Sequence, residues 1–261
     1  MDLATIIGIV LAWGAFLGSI IMEGGDVKAL INPSAALLVF GGTLGASMIC
    51  FPLSTVTSLP QVVKNAFTAK KEDVAHIIQM LVGFAEKARR EGLLALEDEA
   101  HSVDDPFLRK GIQLAIDGTD PELVREIMQT DIAFLGSRHH EGANLFSTMG
   151  GFAPTLGVIG TVSGLVHMLA NLSDPSSMGP SIAAAFIATL YGVCSANLLF
   201  LPLGNKLKAV SHEEVLVREI MTEGILSIQA GDNPRIVEEK LKAFLSPKIR
   251  RAIEAAAAAA A

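Results

Sequence analysis

Long stretches without charged residues dominate the pattern of hydrophobic and polar positions along the chain. A helix needs about 20 mostly apolar residues to cross a bilayer. Four stretches that lack Asp, Glu, Lys and Arg reach that length: Leu3 to Met22, Ala29 to Val63, Gly142 to Ser173 and Pro175 to Asn205. The pattern therefore predicts four transmembrane helices, near residues 3–22, 32–52, 146–170 and 180–202.

The segments between and after these stretches have the periodicity of amphipathic helices. An acidic or amide residue followed by proline is a helix-start signal, and it occurs at Asp105-Pro106, Asp120-Pro121 and Asn233-Pro234. In 72–90, apolar residues recur three and four positions apart, as on a helix with one buried face: Val74, Ile77, Ile78, Leu81, Phe84 and Ala85. No strand pattern is found. We expect an all-α integral membrane protein with a large helical cytoplasmic domain between spans 2 and 3 and a helical C-terminal tail.

These elements divide the chain into consecutive segments. The terminal alanine run carries no sequence information and is left out of the fold prediction. The predicted segments are 1–52 for spans 1 and 2, 53–145 for the helical domain, 146–204 for spans 3 and 4, 205–254 for the tail and 255–261 for the alanine run.

The distribution of charge predicts the orientation in the membrane. Ten of the 20 basic residues lie in 53–145 and nine lie in 205–254. Segments rich in Lys and Arg stay in the cytoplasm, so both termini are expected inside and the short loops 23–31 and 171–179 outside. A cleaved signal peptide is the alternative for the first stretch, but no basic residue precedes Leu3. The formal net charge of −7 argues against nucleic-acid binding, which needs a basic face.

The third and fourth spans contain residues that are unusual in an apolar helix. Pro154 removes the N–H that would bond to the carbonyl of Gly150, which favours a kink. Thr161 and Thr189 place hydroxyl groups inside the membrane; each could simply bond to a carbonyl of its own helix, or it could line a polar path. We therefore expect spans 3 and 4 to form a pore-facing pair and spans 1 and 2 to form a peripheral anchor in the lipid.

No span contains a carboxylate or a basic residue other than His167, which is expected at the outer end of span 3. An ion path through a membrane usually needs an ionisable residue that faces the interior of the helix bundle. Either the chain carries no ions, or a partner chain supplies the acid.

Four segments together resemble the flagellar stator A-subunit family, MotA/PomA, which belongs to the MotA/TolQ/ExbB proton channel superfamily. The resemblance runs from Met1 to about Leu245. The segments that carry it are 154–165, 188–192 with Pro202, 88–97, and the sequence Gln-Ala-Gly-Asp-Asn-Pro-Arg at 229–235.

The resemblance implies a partner and an assembly. In this family five A subunits surround two B subunits of the MotB/PomB type, and each B chain supplies an essential membrane aspartate. The resemblance places Thr161, Thr189 and Pro154 on the ion pathway and gives Pro154 and Pro202 a role in coupling ion passage to movement. It implies a multi-pass protein surrounded by lipid in the bacterial inner membrane, with no enzymatic activity.

The family's contacts with the rotor protein FliG match four charged residues: Arg89, Arg90, Glu97 and Asp98. Two cations followed by two acids form a bipolar surface that suits charged rotor helices, although most such runs are only a solvated helix face. At a further acidic position of sodium-driven relatives this chain has Ala100, with Glu99 beside it.

Thr161 and Thr189 also resemble the pattern of sodium-driven members, whereas several proton-driven members have alanine at the first position. Hydroxyl and carbonyl oxygens can replace part of the hydration shell of a cation. Sodium is thus favoured and a proton is the alternative; no cofactor is expected.

Three other functions fit parts of the pattern. An ExbB/TolQ-type subunit that energises an outer-membrane process would generally have three spans. An intramembrane hydrolase could use Ser163 and His167, four positions apart, but it would lack an acid in the membrane. A structural scaffold would explain the glycines of the third span but not its proline and threonine.

Overall fold

The computed structural model describes residues 3–68, 73–173, 175–247 and 250–251, and these residues contain helices and turns but no strand. The predicted alanine run at 255–261 lies outside the described residues. The chain folds into two compact units. The first, here called the membrane unit, comprises 1–70 and 139–210, and the second, the helical unit, comprises 71–138 and 211–261.

The helices follow one another with short connections. Single turns of 3₁₀ helix cover Val27–Leu30 and Leu93–Leu96. The α-helices are α1 Leu3–Met22, α2 Pro33–Cys50, α3 Leu53–Thr57, α4 Leu59–Thr68, α5 Val74–Glu91, α6 Glu97–Ser102, α7 Pro106–Ile116, α8 Pro121–Ala170, α9 Pro175–Ser195, α10 Leu201–Gln229 and α11 Pro234–Lys242. A π-helical turn, Leu37–Gly41, lies within α2, and another, Ala196–Phe200, joins α9 to α10.

Four helices among the described residues are long and apolar enough to cross a membrane: Leu3–Met22, Pro33–Cys50, Pro121–Ala170 and Met178–Gln229. The prediction of an all-α protein with four spans is confirmed. The predicted third span, 146–170, forms the second part of the 50-residue helix α8, which begins at Pro121 and runs through residue 146 without a break.

The first two spans of the membrane unit differ in how many of their residues are buried. α1 has no buried residue. α2, in contrast, buries Thr43 and Ser47 completely, and each hydroxyl donates to the carbonyl four residues earlier, at 2.5 Å for Val39 O and 2.8 Å for Thr43 O. α2 thus packs against other helices of the unit on one face, whereas Leu37 and Ile49 are exposed. The peripheral position of spans 1 and 2 stays a prediction.

The helical unit has the largest apolar core, built from α5, α7, α10 and α11 together with the start of α8. Its helix starts are capped as the sequence predicts. The carboxylate of Asp105 accepts from the Leu108 N–H at 2.8 Å, and the Asn233 side chain accepts from the Arg235 N–H at 3.0 Å. Such caps satisfy backbone donors that a helix leaves free at its first turn.

The turn between α10 and α11 explains the 229–235 motif as a structural device. Gly231 adopts φ +71°, a left-handed conformation that ends α10. The Gln229 amide donates to the carbonyl of Thr119, and the Asp232 carboxylate pairs with the Lys240 ammonium at 2.7 Å. The hydrogen bond from Lys240 lowers the pKa of Asp232 below its usual range, and it raises the pKa of Lys240.

This ion pair makes the stability of the turn dependent on pH. Because the pKa of Asp232 is lowered in the folded state, the pair contributes stability above the unfolded-state pKa, about 3.9, and that contribution is lost as the pH falls through the folded-state pKa. We expect Asp232→Asn to lower the thermal midpoint of the purified chain at pH 7. The difference from wild type should shrink steadily below about pH 4.

The matched control is Asp104→Asn, since Asp104 is an exposed aspartate of the same unit. Thermal unfolding of both variants in detergent over a range of pH gives the comparison. A deficit for Asp232→Asn that stays constant into the acid range would contradict this role of the pair.

Candidate functional site

The two threonines that the sequence singles out meet between α8 and α9. The hydroxyls of Thr161 and Thr189 contact each other. Thr161 Oγ1 also lies 3.2 Å from Gly157 O and 3.1 Å from Ala185 O, and Thr189 Oγ1 lies 3.2 Å from the same Gly157 O. Both threonines are half-buried. Each hydroxyl thus reaches across to the other helix, so the simple picture of a hydroxyl that bonds only within its own helix does not hold.

The four oxygens of this group, here called the oxygen cluster, are the two hydroxyls and the carbonyls of Gly157 and Ala185. Each hydroxyl has a single proton to donate. The two hydroxyl protons cannot fill all four oxygen–oxygen contacts. Some lone pairs of these oxygens therefore receive no hydrogen bond from either hydroxyl. Hydroxyl and carbonyl oxygens are the groups that replace part of a cation's hydration shell at selectivity sites.

Close packing of small residues brings the oxygen cluster together. A Cβ atom at position 157 would lie 2.9 Å from Ala188 O, and one at position 192 would lie 2.5 Å from Ala153 O. These neighbours are backbone atoms, which cannot move aside as the end of a flexible side chain can. Glycine at both positions is required for the helices to approach so closely, as at many contacts between membrane helices.

Pro154 lies two turns of α8 before Thr161, on the same contact with α9. A Cβ atom at Gly192 would be 3.1 Å from Pro154 Cα. α8 continues through Pro154 as a helix, with the proline half-buried. The structure thus places Pro154, Thr161 and Thr189 along one helix–helix contact.

Pro202 belongs to a separate part of the membrane unit, and its side chain is exposed. It directly follows the π-helical turn, in which the Leu201 N–H donates to Ala196 O five residues earlier. An indirect link to Pro154 exists. Leu201 packs on Gly150, where a Cβ atom would lie 2.6 Å from Leu201 Cγ, and Gly150 carries the carbonyl that Pro154 leaves without its usual donor.

Tyr191 joins span 2 to span 4, a role that the sequence analysis missed. Its phenol donates to the carbonyl of Leu30 and accepts from the Asn32 N–H at 3.1 Å. Its ring lies 5.8 Å from the ring of Phe40. One signal was available, because Tyr191 is the only tyrosine in the chain and a buried phenol normally finds a polar partner. Its partners, about 160 residues earlier, could not be identified from the sequence.

A cavity of about 490 Å³ lies between α2, α8 and α9. It is one turn of α8 beyond the oxygen cluster, towards the end of the span that contains His167. Its polar lining is Ser34, Ser163, Ser181 and the exposed His167, and its floor includes Gly160 and Ala188. Water or a hydrated ion can therefore come close to the oxygen cluster from this side.

The four charged residues matched to rotor contacts lie together in the helical unit. Arg89 and Arg90 are in the last turn of α5, and Glu97 and Asp98 begin α6. All four are exposed. Ala100, in contrast, is 1% exposed and belongs to the core.

A second charged pair lies beside this surface. The Lys87 ammonium forms an ion pair with the Glu99 carboxylate and thereby connects α5 to α6. The hydrogen bond raises the pKa of Lys87 and lowers that of Glu99. The sequence analysis noted Glu99 only as the neighbour of Ala100, since nothing in a linear sequence shows a contact across the turn at Gly92.

These features define a class: a helical membrane protein with a cluster of hydroxyl and carbonyl oxygens between two spans whose sequences contain no Asp or Glu. Comparisons with known proteins agree. The model of the MotA/TolQ/ExbB proton channel family matches residues 99–220, and that of the motility protein A N-terminal region matches residues 6–92.

The full-length relatives narrow the class further. The chain is 40% identical to motility protein A of Bacillus subtilis over 96% of this chain and 93% of that protein, and 35% identical to the chemotaxis protein PomA of Vibrio alginolyticus over 97% and 99%. The chain therefore belongs to the motility protein A family, within the MotA/TolQ/ExbB proton channel family. The resemblance found in the sequence is confirmed.

Solved structures show the same fold. The chain superimposes on a chain of the flagellar MotAB stator complex from Bacillus subtilis with a TM-score of 0.88 and 40% identity, covering 95% of this chain and 98% of that one. For MotAB of C. jejuni the TM-score is 0.89 at 35% identity, with 95% and 97% covered.

The glycine contacts lead to a testable prediction. We expect Gly192→Ala to force α8 and α9 apart, at a cost of about 1–3 kcal/mol as for other overpacked contacts, because its Cβ would lie 2.5 Å from Ala153 O. Gly151→Ala is the control, since a Cβ there meets nothing within 4 Å. The measurement is the thermal stability of each variant purified in detergent. Equal midpoints for the two variants would show that the close approach is not required.

Proposed function

We propose that this chain is the A subunit of a flagellar stator, which with a B subunit forms an ion channel and converts an ion-motive force into torque on the rotor. The observation that carries the proposal is the oxygen cluster at the glycine-lined contact of α8 and α9, in a family whose model describes proton channels. The cluster offers oxygen ligands at membrane depth, of the kind that replace part of a cation's hydration shell.

Because the spans contain no acid, we infer that the B subunit supplies one. The spans contain no Asp or Glu, and an uncharged path is a poor host for a cation in hydrocarbon. A partner helix with one carboxylate beside the oxygen cluster would supply the counter-charge. The solved relatives are titled MotAB, and we infer the same kind of partner here, in an assembly of five A and two B chains.

Sodium fits the oxygen cluster better than a proton does. A proton can pass along water or hydroxyl groups without being surrounded by ligands, whereas Na⁺ needs several oxygens to replace its hydration shell. Thr161 Oγ1, Thr189 Oγ1 and the two carbonyls give four, and a carboxylate from the B subunit would complete the set. The cavity next to the cluster would hold the hydrated ion before it loses water.

Coupling to the rotor would use the remaining residues. The contact of Gly150 with Leu201 links the backbone disturbed by Pro154 to the segment that precedes Pro202. A small displacement of the backbone at the oxygen cluster would thus be transmitted to the start of α10. The exposed surface of Arg89, Arg90, Glu97 and Asp98 would meet FliG in the cytoplasm, with both termini of the chain on the same side of the inner membrane.

The choice of ion is tested by swimming speed or motor torque in media with and without sodium. We expect wild-type motility to fail without sodium. Thr161→Ala and Thr189→Ala should lower motility steeply at limiting sodium, because each removes a ligand, while Thr161→Ser should retain much of it. The control is Thr155→Ala: Thr155 lies on the same helix, is exposed, and donates only to Phe152 O at 2.7 Å. Undiminished swimming in sodium-free medium would establish the proton instead.

The channel itself is tested by ion flux. Co-expression of this chain with a one-span B subunit should produce ion uptake that neither chain produces alone, and replacement of the B-subunit aspartate by asparagine should abolish it. A complex that assembles but conducts nothing would support a scaffold.

A further inference from the structure

The side chains of the Lys87–Glu99 ion pair are less exposed than the charged side chains beside them. The Lys87 and Glu99 side chains are 32% and 33% exposed, whereas the Arg90 side chain is 72% exposed. The second carboxylate oxygen of Glu99 is buried and has no hydrogen-bond partner among the described residues. Lys87 is therefore the group that compensates the Glu99 charge.

Helical periodicity places Glu99 at the edge of the buried face. Leu96 and Ala100 are each 1% exposed and face the core. Glu99 lies three positions after Leu96 and next to Ala100, so its side chain leaves the helix at the edge of the buried face. Asp98 lies on the opposite side of the helix, Glu97 lies at the other edge of the buried face, and both are exposed. Helix α6 thus has two exposed acids, Glu97 and Asp98, and a third, Glu99, that forms an ion pair within the chain.

The connection that the pair spans is short. α5 ends at Glu91, Gly92 follows with φ +88°, and a single 3₁₀ turn leads into α6. A Cβ atom at Gly92 would meet nothing within 4 Å. Besides the apolar packing of Leu96 and Ala100, the ion pair is the polar contact that fixes the end of α5 relative to α6.

We propose that Lys87 and Glu99 are positioning residues that fix the spacing between the cations Arg89 and Arg90 and the acids Glu97 and Asp98, and that Glu99 is not itself a rotor contact. The inference rests on the proposed function, in which these four charges meet the rotor. The two cations and the two acids lie on either side of the turn, so their relative placement depends on what holds α5 to α6. Recognition by two charged patches is sensitive to such spacing, because both must fit the partner together.

The ion pair is one-third exposed, so its contribution to global stability is modest and the main effect is expected in rotor binding. We expect Lys87→Glu and Glu99→Lys each to weaken binding of the complete A–B complex to purified FliG by up to about fivefold, with reduced torque and only a small fall in the thermal midpoint, because each reversal sets two like charges together. The double variant K87E/E99K restores the pair in the opposite direction and should recover binding and torque. A charge that contacts the rotor directly would not be rescued by a change within this chain.

The matched control is the pair of Lys110 with Asp131, at 2.7 Å in the same unit. Its single reversals should leave FliG binding at the wild-type value. Arg90→Glu and Glu97→Lys test the proposed function separately. If neither changes rotor binding, the rotor surface has been assigned wrongly. If they weaken binding while the Lys87 and Glu99 reversals have no effect, or the double variant fails to recover, the positioning role is refuted and the rotor surface stands.

Discussion

The close approach of α8 and α9 is the constraint on which the rest of the membrane unit depends. Glycines at 157 and 192 let the backbones come near enough for hydroxyls on one helix to reach carbonyls on the other. In hydrocarbon this contact cannot be driven by exclusion of water, so it relies on packing and on polar contacts. The proposed ion path and the contact that stabilises the two helices are therefore made of the same atoms.

Much of the fold could be predicted because the bilayer imposes a simple rule on the sequence. Charge-free stretches gave the four spans, and an acid or amide before proline gave the starts of α7, α8 and α11. What failed was the distinction between helix surfaces that face lipid and those that face protein. Both are apolar, so hydropathy could not show that α2 buries Thr43 and Ser47.

The sequence indicated which residues form the candidate site, but it did not show how they contact one another. Threonine and proline within apolar spans are conspicuous, and the structure brings Thr161 and Thr189 into contact. The contacts missed were those between residues far apart in sequence or across a turn, such as Tyr191 with Leu30 and Lys87 with Glu99. Each depends on how helices pack, and a single sequence contains no record of that.

The oxygen cluster carries only partial charges, and this matters when a newly made chain enters the membrane before its partner. A chain inserted before its partner offers a passing cation dipoles but no counter-charge, and the energetic barrier of the hydrocarbon persists. Under the proposed function, newly made subunits can therefore accumulate in the membrane without a leak that would drain the cell's ion gradient. Conduction would begin only once the B subunit has joined, so that only assembled complexes use the gradient.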